Sequence, residues 1–304
     1  MLDLLSIGTI TIDLYYKGKS LTHTNERFEL SMGGKYFADY FYEGLGGGGA
    51  NVAIGVAKAG MKSGLMAKIG KNPFKPIICN KLDDMKISHA NFCQIEDEYI
   101  NISSILLNER GEKTIINYRT PHQHIVTCED DYEVLEKTKA IYMANLSKVA
   151  LTERIELLKR AKSLNLTTFA NFNVTDCRRP VEQIDHFLQF VDVFIINSHE
   201  CADICKTPYQ TMDFQGNIVE RFKPFRNDRV LIITDGKKGS YGYKNGKVLY
   251  QEAVPVADVV DTTGAGDGYT AGFIASYLQD GYIKKAMKAG ATYATEILKK
   301  MGAN

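Results

Sequence analysis

The chain has 304 residues, of which 44% are hydrophobic and 24% are charged, a composition typical of globular proteins. Its 37 basic and 36 acidic residues leave a formal net charge of +1 and form no block of like charge. Nucleic acid and membrane surfaces therefore have no electrostatic support as partners. Every apolar run is shorter than the ~20 residues that span a bilayer, and we expect a cytoplasmic protein.

Six cysteines are spread along the chain without a CxxC pair, which predicts reduced thiols. They are Cys79, Cys93, Cys128, Cys177, Cys201 and Cys205. The last two lie four residues apart on a predicted helix, with His199 nearby. A zinc site needs more ligands at tighter spacing, so packing of small apolar thiols is the favoured interpretation.

The predicted elements fall into two groups along the chain. An apolar run from Leu4 to Gly8 predicts a buried strand that continues to a polar end at Asp13. Two β-rich stretches, about 14–45 and 98–120, flank a glycine-led helix, a strand and a second helix. From residue 140 onward strands and helices alternate, and Asn245-Gly246 marks a hairpin turn before two C-terminal helices at 267–279 and 282–300.

Regular alternation of strands and helices predicts an α/β fold with a mostly parallel central sheet and helices on both faces. The alternating strands are predicted at 140–144, 166–172, 191–196 and 230–234, and the helices at 151–163, 181–190 and 198–205. The two β-rich stretches do not fit this alternation, and we expect them to form a small β-sheet lid. No linker or repeat divides the chain, which indicates a single domain over 1–304.

Two nucleotide-binding motifs can be tested on the glycines of the N-terminal half. Gly18-Lys19-Ser20 resembles the end of a P-loop, but Asp13 stands where that motif needs a glycine. Gly44–Gly49 satisfies GxGxxG, yet the next strand ends in Ala67-Lys68-Ile69 instead of an acidic residue. These departures exclude the P-loop and disfavour a dinucleotide-dependent oxidoreductase.

The stretch Asp261–Gly268 combines three glycines with two aspartates directly before a helical pattern. Free N–H groups and the positive end of the helix dipole at such a position form an anion site. Asp267 in the first turn is placed to take a proton. A phosphate site and a base in one loop indicate phosphoryl transfer. The alternative is that Asp267 only caps its helix.

These residues carry a resemblance to a known family. Asp261–Asp267 followed by Ala271-Gly272-Phe273 resembles the second signature of the PfkB/ribokinase family of small-molecule kinases. Gly46–Ala53, with Gly60 closing the helix, resembles the first signature. Asn197–Glu200 and Thr234–Gly239 agree with the family in order. The resemblance covers essentially the whole chain and implies a ribokinase-like fold, with ATP and Mg²⁺ as cofactors.

The resemblance also implies roles for individual residues on the phosphate side. Asp267 would be the catalytic base, and the backbone of Gly264, Ala265 and Gly266 would be the anion hole. The nucleotide would contact Asn197, Thr234, Gly236 and Gly239. Glu200, with Asn197, would hold Mg²⁺ through water, although the same two residues could simply start a helix. Asp261 and Thr263 match positions that hold a monovalent cation, such as K⁺, in some members.

On the acceptor side, the resemblance implies substrate contacts from Asp13, Gly47, Gly48 and Asn51. Asp13 could accept hydrogen bonds from two vicinal hydroxyls. Arg119 could reach a charged acceptor, and an exposed structural arginine is the alternative. Gly48 stands where many sugar kinases of the family have a lysine, and Asn171-Phe172-Asn173 replaces a frequent Asp-x-Asn. These departures leave the acceptor open.

We therefore expect an ATP- and Mg²⁺-dependent kinase that phosphorylates a hydroxyl of a small sugar. A nucleoside kinase is the alternative if the aromatic residues of the lid stack on a base, namely Tyr36, Phe37, Tyr40 and Phe41. The same rings could form the core of the lid or a dimer contact. A binding protein that keeps the fold without turnover is a hypothesis from another class. The edges of an exposed lid favour a homodimer.

Overall fold

The computed structural model describes residues 1–24, 27–89, 99–109, 112–120, 124–126, 128–146, 148–216, 218, 222 and 228–304. Cys93 and residues 25, 26, 98, 110 and 111 of the predicted lid lie outside these ranges. The strands are β1 (Leu4–Ile7), β2 (Thr11–Lys17), β3 (His23–Thr24), β4 (Arg27–Phe28), β5 (Tyr40–Gly46), β6 (Ser63–Met66), β7 (Asn101–Leu107), β8 (Lys113–Arg119), β9 (Ala140–Met143), β10 (Thr167–Ala170), β11 (Val193–Asn197), β12 (Val230–Thr234), β13 (Ser240–Lys244) and β14 (Lys247–Gln251).

The helices are α1 (Gly48–Lys58), α2 (Lys75–Asp84), α3 (Leu151–Ser163), α4 (Val174–Cys177), α5 (Val181–Leu188), α6 (Ser198–Cys205), α7 (Ala265–Asp280) and α8 (Ile283–Leu298). Short 3₁₀ segments lie at Glu129–Lys137, Tyr209–Thr211 and Gly236–Lys238. Among the described residues, no helix is both long and apolar enough to cross a bilayer.

The main sheet has eight strands in the order β14-β13-β12-β11-β10-β9-β1-β6. The six strands from β12 to β6 pair in parallel, and β13 and β14 extend the sheet as an antiparallel hairpin. Apolar cores cover both faces: Leu157 and Phe187 lie in one core, and Val52 and Phe273 in the other. The predicted α/β fold with a mostly parallel sheet is confirmed.

A separate sheet of four strands, in the order β5-β2-β7-β8, stands beside the main body, and we call it the second sheet. Its inner face carries Asp13 and Tyr15 of β2, which pair with Ser103 and Ile105 of β7. Its outer face carries alternate residues, including Phe41, Ile116 and Tyr118. The inner face is largely buried and the outer face is exposed at those three side chains.

The first strand ends earlier than the sequence predicts. β1 stops at Ile7, and Asp13 is the third residue of β2 in the second sheet, not the polar end of a continuous strand. The cause is close packing at Gly8, where a Cβ would lie 2.6 Å from the Ala144 Cβ and 2.7 Å from the Gly49 Cα. The chain therefore turns out of the main sheet and enters the second one.

Candidate active site

The candidate site lies at the carboxyl ends of the parallel strands, where open α/β sheets bind their ligands. Asn171 follows β10, while Asn197 and Thr234 end β11 and β12 and are direct neighbours in register. The N-terminus of α1 reaches this edge because Gly8 and Gly49 approach without side chains. The Ser6 hydroxyl of β1 donates to the Gly49 carbonyl at 2.7 Å, and this bond also joins the start of α1 to the sheet.

The first glycine loop turns into α1 at Gly47, whose φ of 93° lies in the region that favours glycine. A Cβ there would lie 2.6 Å from the Thr9 carbonyl oxygen, so backbone runs against backbone. A Cβ at Gly48 would lie 3.7 Å from Asp267 Oδ1. Any side chain at position 48 would therefore project beside Asp267, and glycine keeps that space open.

Asp267 lies in the first turn of α7, and its side chain is partly buried. Its Oδ2 accepts a hydrogen bond of 2.7 Å from Asn51 Nδ2, which directly joins the two glycine loops. The N-cap of α7 is Gly264, with a φ of 75°, and no side chain caps this helix. Asp267 is therefore not the N-cap of its helix. Burial raises the pKa of Asp267, because a charged carboxylate is poorly solvated there.

The backbone around Asp267 is packed on one side and open on the other. A Cβ at Gly264 would lie 2.3 Å from the Ala303 Cβ, so the C-terminal residues press against the loop. A Cβ at Gly266 would meet no atom within 4 Å. The first N–H groups of α7 have no preceding helical carbonyl as acceptor. An anion can thus approach this backbone closely from the side of Gly266.

Asn197 and Glu200 form a capping box at the start of α6. Asn197 Oδ1 accepts from the Glu200 N–H at 2.8 Å, and Glu200 Oε2 accepts from the Asn197 N–H at 2.9 Å. Asn197 and Glu200 therefore do start a helix, which is the alternative role that the sequence left open. Burial raises the pKa of Glu200 to about 7, and the carboxylates of Asp203 and Asp267 add to this shift.

Buried polar atoms that have no hydrogen-bond partner within the described chain include Tyr142 Oη, Asn171 Oδ1 and Asn51 Oδ1. Both Asp267 and Glu200 act on the Tyr142 hydroxyl electrostatically. Among the described residues, no group of three or more His, Cys, Asp or Glu is placed to hold a metal. One carboxylate with amide and hydroxyl groups fits Mg²⁺, which keeps several waters and takes phosphate oxygens as ligands.

The loop after β12 packs against the start of α6. The carboxylate of Asp235 accepts from Ser198 Oγ at 2.6 Å and from the Tyr209 hydroxyl at 2.9 Å. Gly236 and Gly239 have φ values of 53° and 95°, and a Cβ at Gly239 would lie 2.2 Å from the Gln251 carbonyl oxygen. Thr234, Gly236 and Gly239 thus border one loop, and Thr234 is paired in register with Asn197.

On the acceptor side, the Asp13 carboxylate lies against the backbone of Gly46. A Cβ at position 46 would lie 2.0 Å from Asp13 Oδ2. Burial raises the pKa of Asp13 to about 6, opposed by a hydrogen bond from Ser103 and reinforced by the charge of Asp261. Arg119 lies across from Asn101 on the same face, and its Nε donates to Asn101 Oδ1 at 3.2 Å. The Arg119 side chain is otherwise exposed.

Asp261 and Thr263 do meet in space, and a third residue joins them. The Thr263 hydroxyl donates to Asp261 Oδ1 at 2.7 Å. Lys113 Nζ, from the start of β8, lies 2.5 Å from the same carboxylate oxygen and also donates to Thr263 Oγ1.

Comparison with known proteins identifies the family. The model of the pfkB family carbohydrate kinases matches residues 1–304. The chain belongs to this family. It is 26% identical over 259 residues to a probable chloroplastic fructokinase-6 of Arabidopsis thaliana, a match that covers 80% of this chain and 65% of that protein. Kinases of this family transfer phosphoryl groups to alcohol groups of sugars or nucleosides, and this chain is such a phosphotransferase.

Solved structures share the fold of this kinase. An Arabidopsis thaliana ribokinase complexed with ribose and ATP matches with a TM-score of 0.81 and 21% identity, over 99% of this kinase and 94% of that chain. An adenosine kinase from Sinorhizobium meliloti matches with a TM-score of 0.79 and 19% identity, over 100% and 95%. The predicted ribokinase-like fold is confirmed.

Several residues at the site of this kinase were missed by sequence reasoning. Asn101 and Ser103 alternate with apolar residues on β7, and that pattern is a signal that could have placed them on the inner face. Tyr142 stands within a run of apolar strand residues, and Lys113 stands in a polar turn. Neither position carries a local pattern that distinguishes it from a structural residue.

Proposed function

We propose that the chain transfers the γ-phosphoryl group of ATP to a hydroxyl group of a sugar-type acceptor. Asp267 is the general base, and the N–H groups of Gly264, Ala265 and Gly266 are the anion hole. The observation that carries this proposal is the partly buried Asp267, which accepts a hydrogen bond of 2.7 Å from Asn51 beside the open N-terminus of α7. A proton acceptor and an anion site thus lie within one helical turn.

The chemistry needs few groups, because phosphoryl transfer depends mainly on positioning and charge stabilisation. The acceptor oxygen forms a bond to the γ-phosphorus, the bond from phosphorus to the β,γ-bridging oxygen breaks, and ADP leaves with its electron pair. The hydroxyl proton passes to Asp267. The raised pKa of Asp267 makes it a stronger base than an exposed aspartate, provided that it is ionised at the working pH.

Glu200 and Asn197 are the residues that would hold Mg²⁺, through water. Bound there with the phosphates of ATP, the ion would neutralise part of their negative charge. The capping box supports this role, since it holds the Glu200 carboxylate in place. Thr234, Gly236 and Gly239 border the loop that would run under the nucleotide.

The faces of the second sheet favour a sugar over a nucleoside. Asp13 and Ser103 place hydrogen-bonding groups on the inner face, toward the site. Of the aromatic residues considered for stacking a base, Phe41 lies on the outer face against Tyr16, with ring centroids 5.4 Å apart. The hydroxyl of Tyr36 accepts from the Ser31 N–H at 2.7 Å. Phe41 is thus engaged away from Asp13 and Tyr36 is engaged with its own loop, whereas Tyr40 lies on the inner face opposite Lys17.

The test is ADP release with a panel of free sugars, polyols and nucleosides, including fructose, ribose and adenosine, with the Asp267→Asn variant as control. We expect turnover with at least one sugar and a much lower rate in the variant. Turnover with nucleosides alone would establish the nucleoside kinase instead. Acceptor binding without ADP release would favour a non-catalytic sugar-binding protein.

Asp13 predicts how acceptor binding depends on pH. Its carboxyl group accepts hydroxyl hydrogen bonds on both oxygens, and more strongly, when it is ionised, and its pKa is raised to about 6. We expect KM for the acceptor to rise as pH falls below about 6, while KM for ATP does not follow the same curve. In Asp13→Asn this dependence should vanish, and kcat/KM at pH 8 should fall roughly 10- to 100-fold, as for loss of a charged hydrogen bond. An acceptor KM that stays constant from pH 5 to 8 in the wild type would contradict the assignment.

The outer face of the second sheet supports the homodimer that the sequence predicts. Phe41, Ile116 and Tyr118 are 53%, 58% and 60% exposed there, between the two open edges of the sheet. Apolar side chains gathered on one exposed face are typical of an interaction surface. We propose that a second copy covers this face.

The cytoplasmic location stays a prediction.

A further inference from the structure

The carboxylate of Asp261 is buried and surrounded by donors. Its Oδ1 accepts from the Thr263 N–H at 2.9 Å and from the Thr263 hydroxyl at 2.7 Å, while its Oδ2 accepts from the Gly302 N–H at 3.3 Å. The only full positive charge in contact with it, among the described residues, is Lys113 Nζ at 2.5 Å. A buried carboxylate is costly unless such a charge compensates it.

Lys113 does not belong to the body of the kinase. It is the first residue of β8, and it lies in one row across the second sheet with Leu107 of β7 and Lys17 of β2. Its ammonium reaches two oxygens, Asp261 Oδ1 and Thr263 Oγ1. Those belong to the residues that the sequence resemblance assigns to a free monovalent cation. A free cation does not fit there, because the ammonium already holds both oxygens and like charges repel.

We propose that the Lys113 ammonium takes the place of a free monovalent cation and thereby positions the turn that carries the anion hole. Asp261 and Thr263 lead directly into Gly264, where α7 begins. Lys113 is a positioning residue: it acts through Asp261 and Thr263, not on the substrate. This inference rests on the proposed kinase function, and its test separates the two.

A tethered charge behaves differently from a dissolved one. Its effective concentration at Asp261 is set by the fold and not by the salt in the buffer. Turnover should therefore be independent of monovalent cations. The Lys113 ammonium also belongs to the second sheet. The Lys113–Asp261 ion pair therefore links the position of that sheet to the geometry of the anion hole.

The first measurement needs no substitution. ADP release by the wild type is followed with tetramethylammonium chloride as the only added salt, and then with KCl, NaCl or NH₄Cl at equal ionic strength. We expect rates that agree within a factor of two. Activation by K⁺ of more than about fivefold would overturn the proposal, because it would require a site for free K⁺.

The second measurement uses Lys113→Ala, with Lys17→Ala as the matched control from the same row of the sheet. In tetramethylammonium chloride we expect kcat of Lys113→Ala to fall roughly 10- to 100-fold, as for a small displacement of catalytic groups. Acceptor KM should change less than threefold. KCl or NH₄Cl should restore a large part of kcat, whereas Lys17→Ala should match the wild type in every salt. Unchanged kcat in Lys113→Ala, or a loss that no cation restores, would overturn the proposal.

Thermal unfolding gives a readout that does not depend on activity. A cation that binds only the folded state raises Tm with its concentration. KCl should raise the Tm of Lys113→Ala above its value in tetramethylammonium chloride, and it should leave the wild type and Lys17→Ala unchanged. If no acceptor supports turnover, the proposed function fails while this test still decides the role of Lys113. Equal Tm values for Lys113→Ala in the two salts would overturn that role.

Discussion

We expect the Asp267→Asn variant to lose a factor of roughly 10²–10⁴ in kcat, the usual contribution of a positioned general base. Asparagine has the same shape and can still accept from Asn51 through its amide oxygen, so the join between the two glycine loops is kept. It cannot take the proton of the acceptor hydroxyl. KM for ATP and for the acceptor should therefore stay within about threefold of the wild type.

The stability of this variant tests the same assignment from another side. The pKa of Asp267 is raised in the folded state. The stability that protonated Asp267 contributes is therefore present at low pH and is lost as pH rises through this raised pKa. At pH 8 the wild type bears the cost of a partly desolvated charge that asparagine lacks. Tm of Asp267→Asn should therefore equal or exceed that of the wild type.

The matched control is Asp280→Asn, at the other end of α7, where an exposed carboxylate pairs with Lys285 at 2.5 Å. It should keep full turnover. A kcat of Asp267→Asn within threefold of the wild type would remove Asp267 from the role of base, and a large drop in Tm would mean that its role is structural.

The largest effect on stability is expected at Arg154, which is fully buried in α3. Its Nη1 and Nη2 donate to Asp176 Oδ2 and Oδ1 at 2.9 and 2.8 Å, and both side chains are 0% exposed. Arg179 Nε donates to the same carboxylate at 2.8 Å. Arg154→Leu would leave Arg179 to compensate the negative charge of Asp176 without Arg154. Loss of one partner of a buried ion pair costs about 3–5 kcal/mol of unfolding free energy.

The pH dependence of this loss distinguishes the ion pair from simple packing. Burial favours a higher pKa for Asp176, but the bonds from Arg154 and Arg179 outweigh it, and the pKa is lowered. The stability that the ionised Asp176 contributes is present above pH 3.8, and it is lost as pH falls through the pKa of Asp176 in the folded state. In Arg154→Leu the pKa of Asp176 should rise, so the destabilisation should be smaller at pH 4.5 than at pH 7.5.

Urea denaturation at the two pH values measures both effects. The double variant Arg154→Leu/Asp176→Leu should recover part of the lost stability, because it leaves no buried charge behind. Lys299→Leu is the control, since it breaks the exposed Lys299–Glu296 pair and should leave the unfolding free energy unchanged. A loss for Arg154→Leu that is equal at both pH values would mean that packing, and not charge, explains it.

Much of the main body follows from local sequence patterns. Strands such as β9 and β12 are short apolar runs that are buried on both faces, and the amphipathic helices between them supply their cover. The hairpin at Asn245-Gly246 has positive φ at both residues, as that dipeptide predicts. Such features depend on neighbours in the chain, and the sequence therefore predicts them well.

Asp13 shows where local reasoning fails. The run from Leu4 to Asp13 reads as one strand, but Gly8 must approach both Ala144 and Gly49, and the chain leaves the main sheet there. The break is caused by residues more than 40 and 130 positions away in sequence. Asp13 consequently lies in the second sheet, beside Ser103, where its burial raises its pKa to about 6.

By itself, the sequence determined the reaction class and the loop that would perform it. Asp261–Gly268 needs only consecutive residues, since glycines, a helix start and a carboxylate within one turn make an anion site with a base. Only the tertiary structure decided what completes that loop. Asn51 reaches Asp267 from 216 residues away, and Lys113 reaches Asp261 from 148 residues away. Side chains so distant meet because two sheets pack together, and no spacing along the chain encodes that contact.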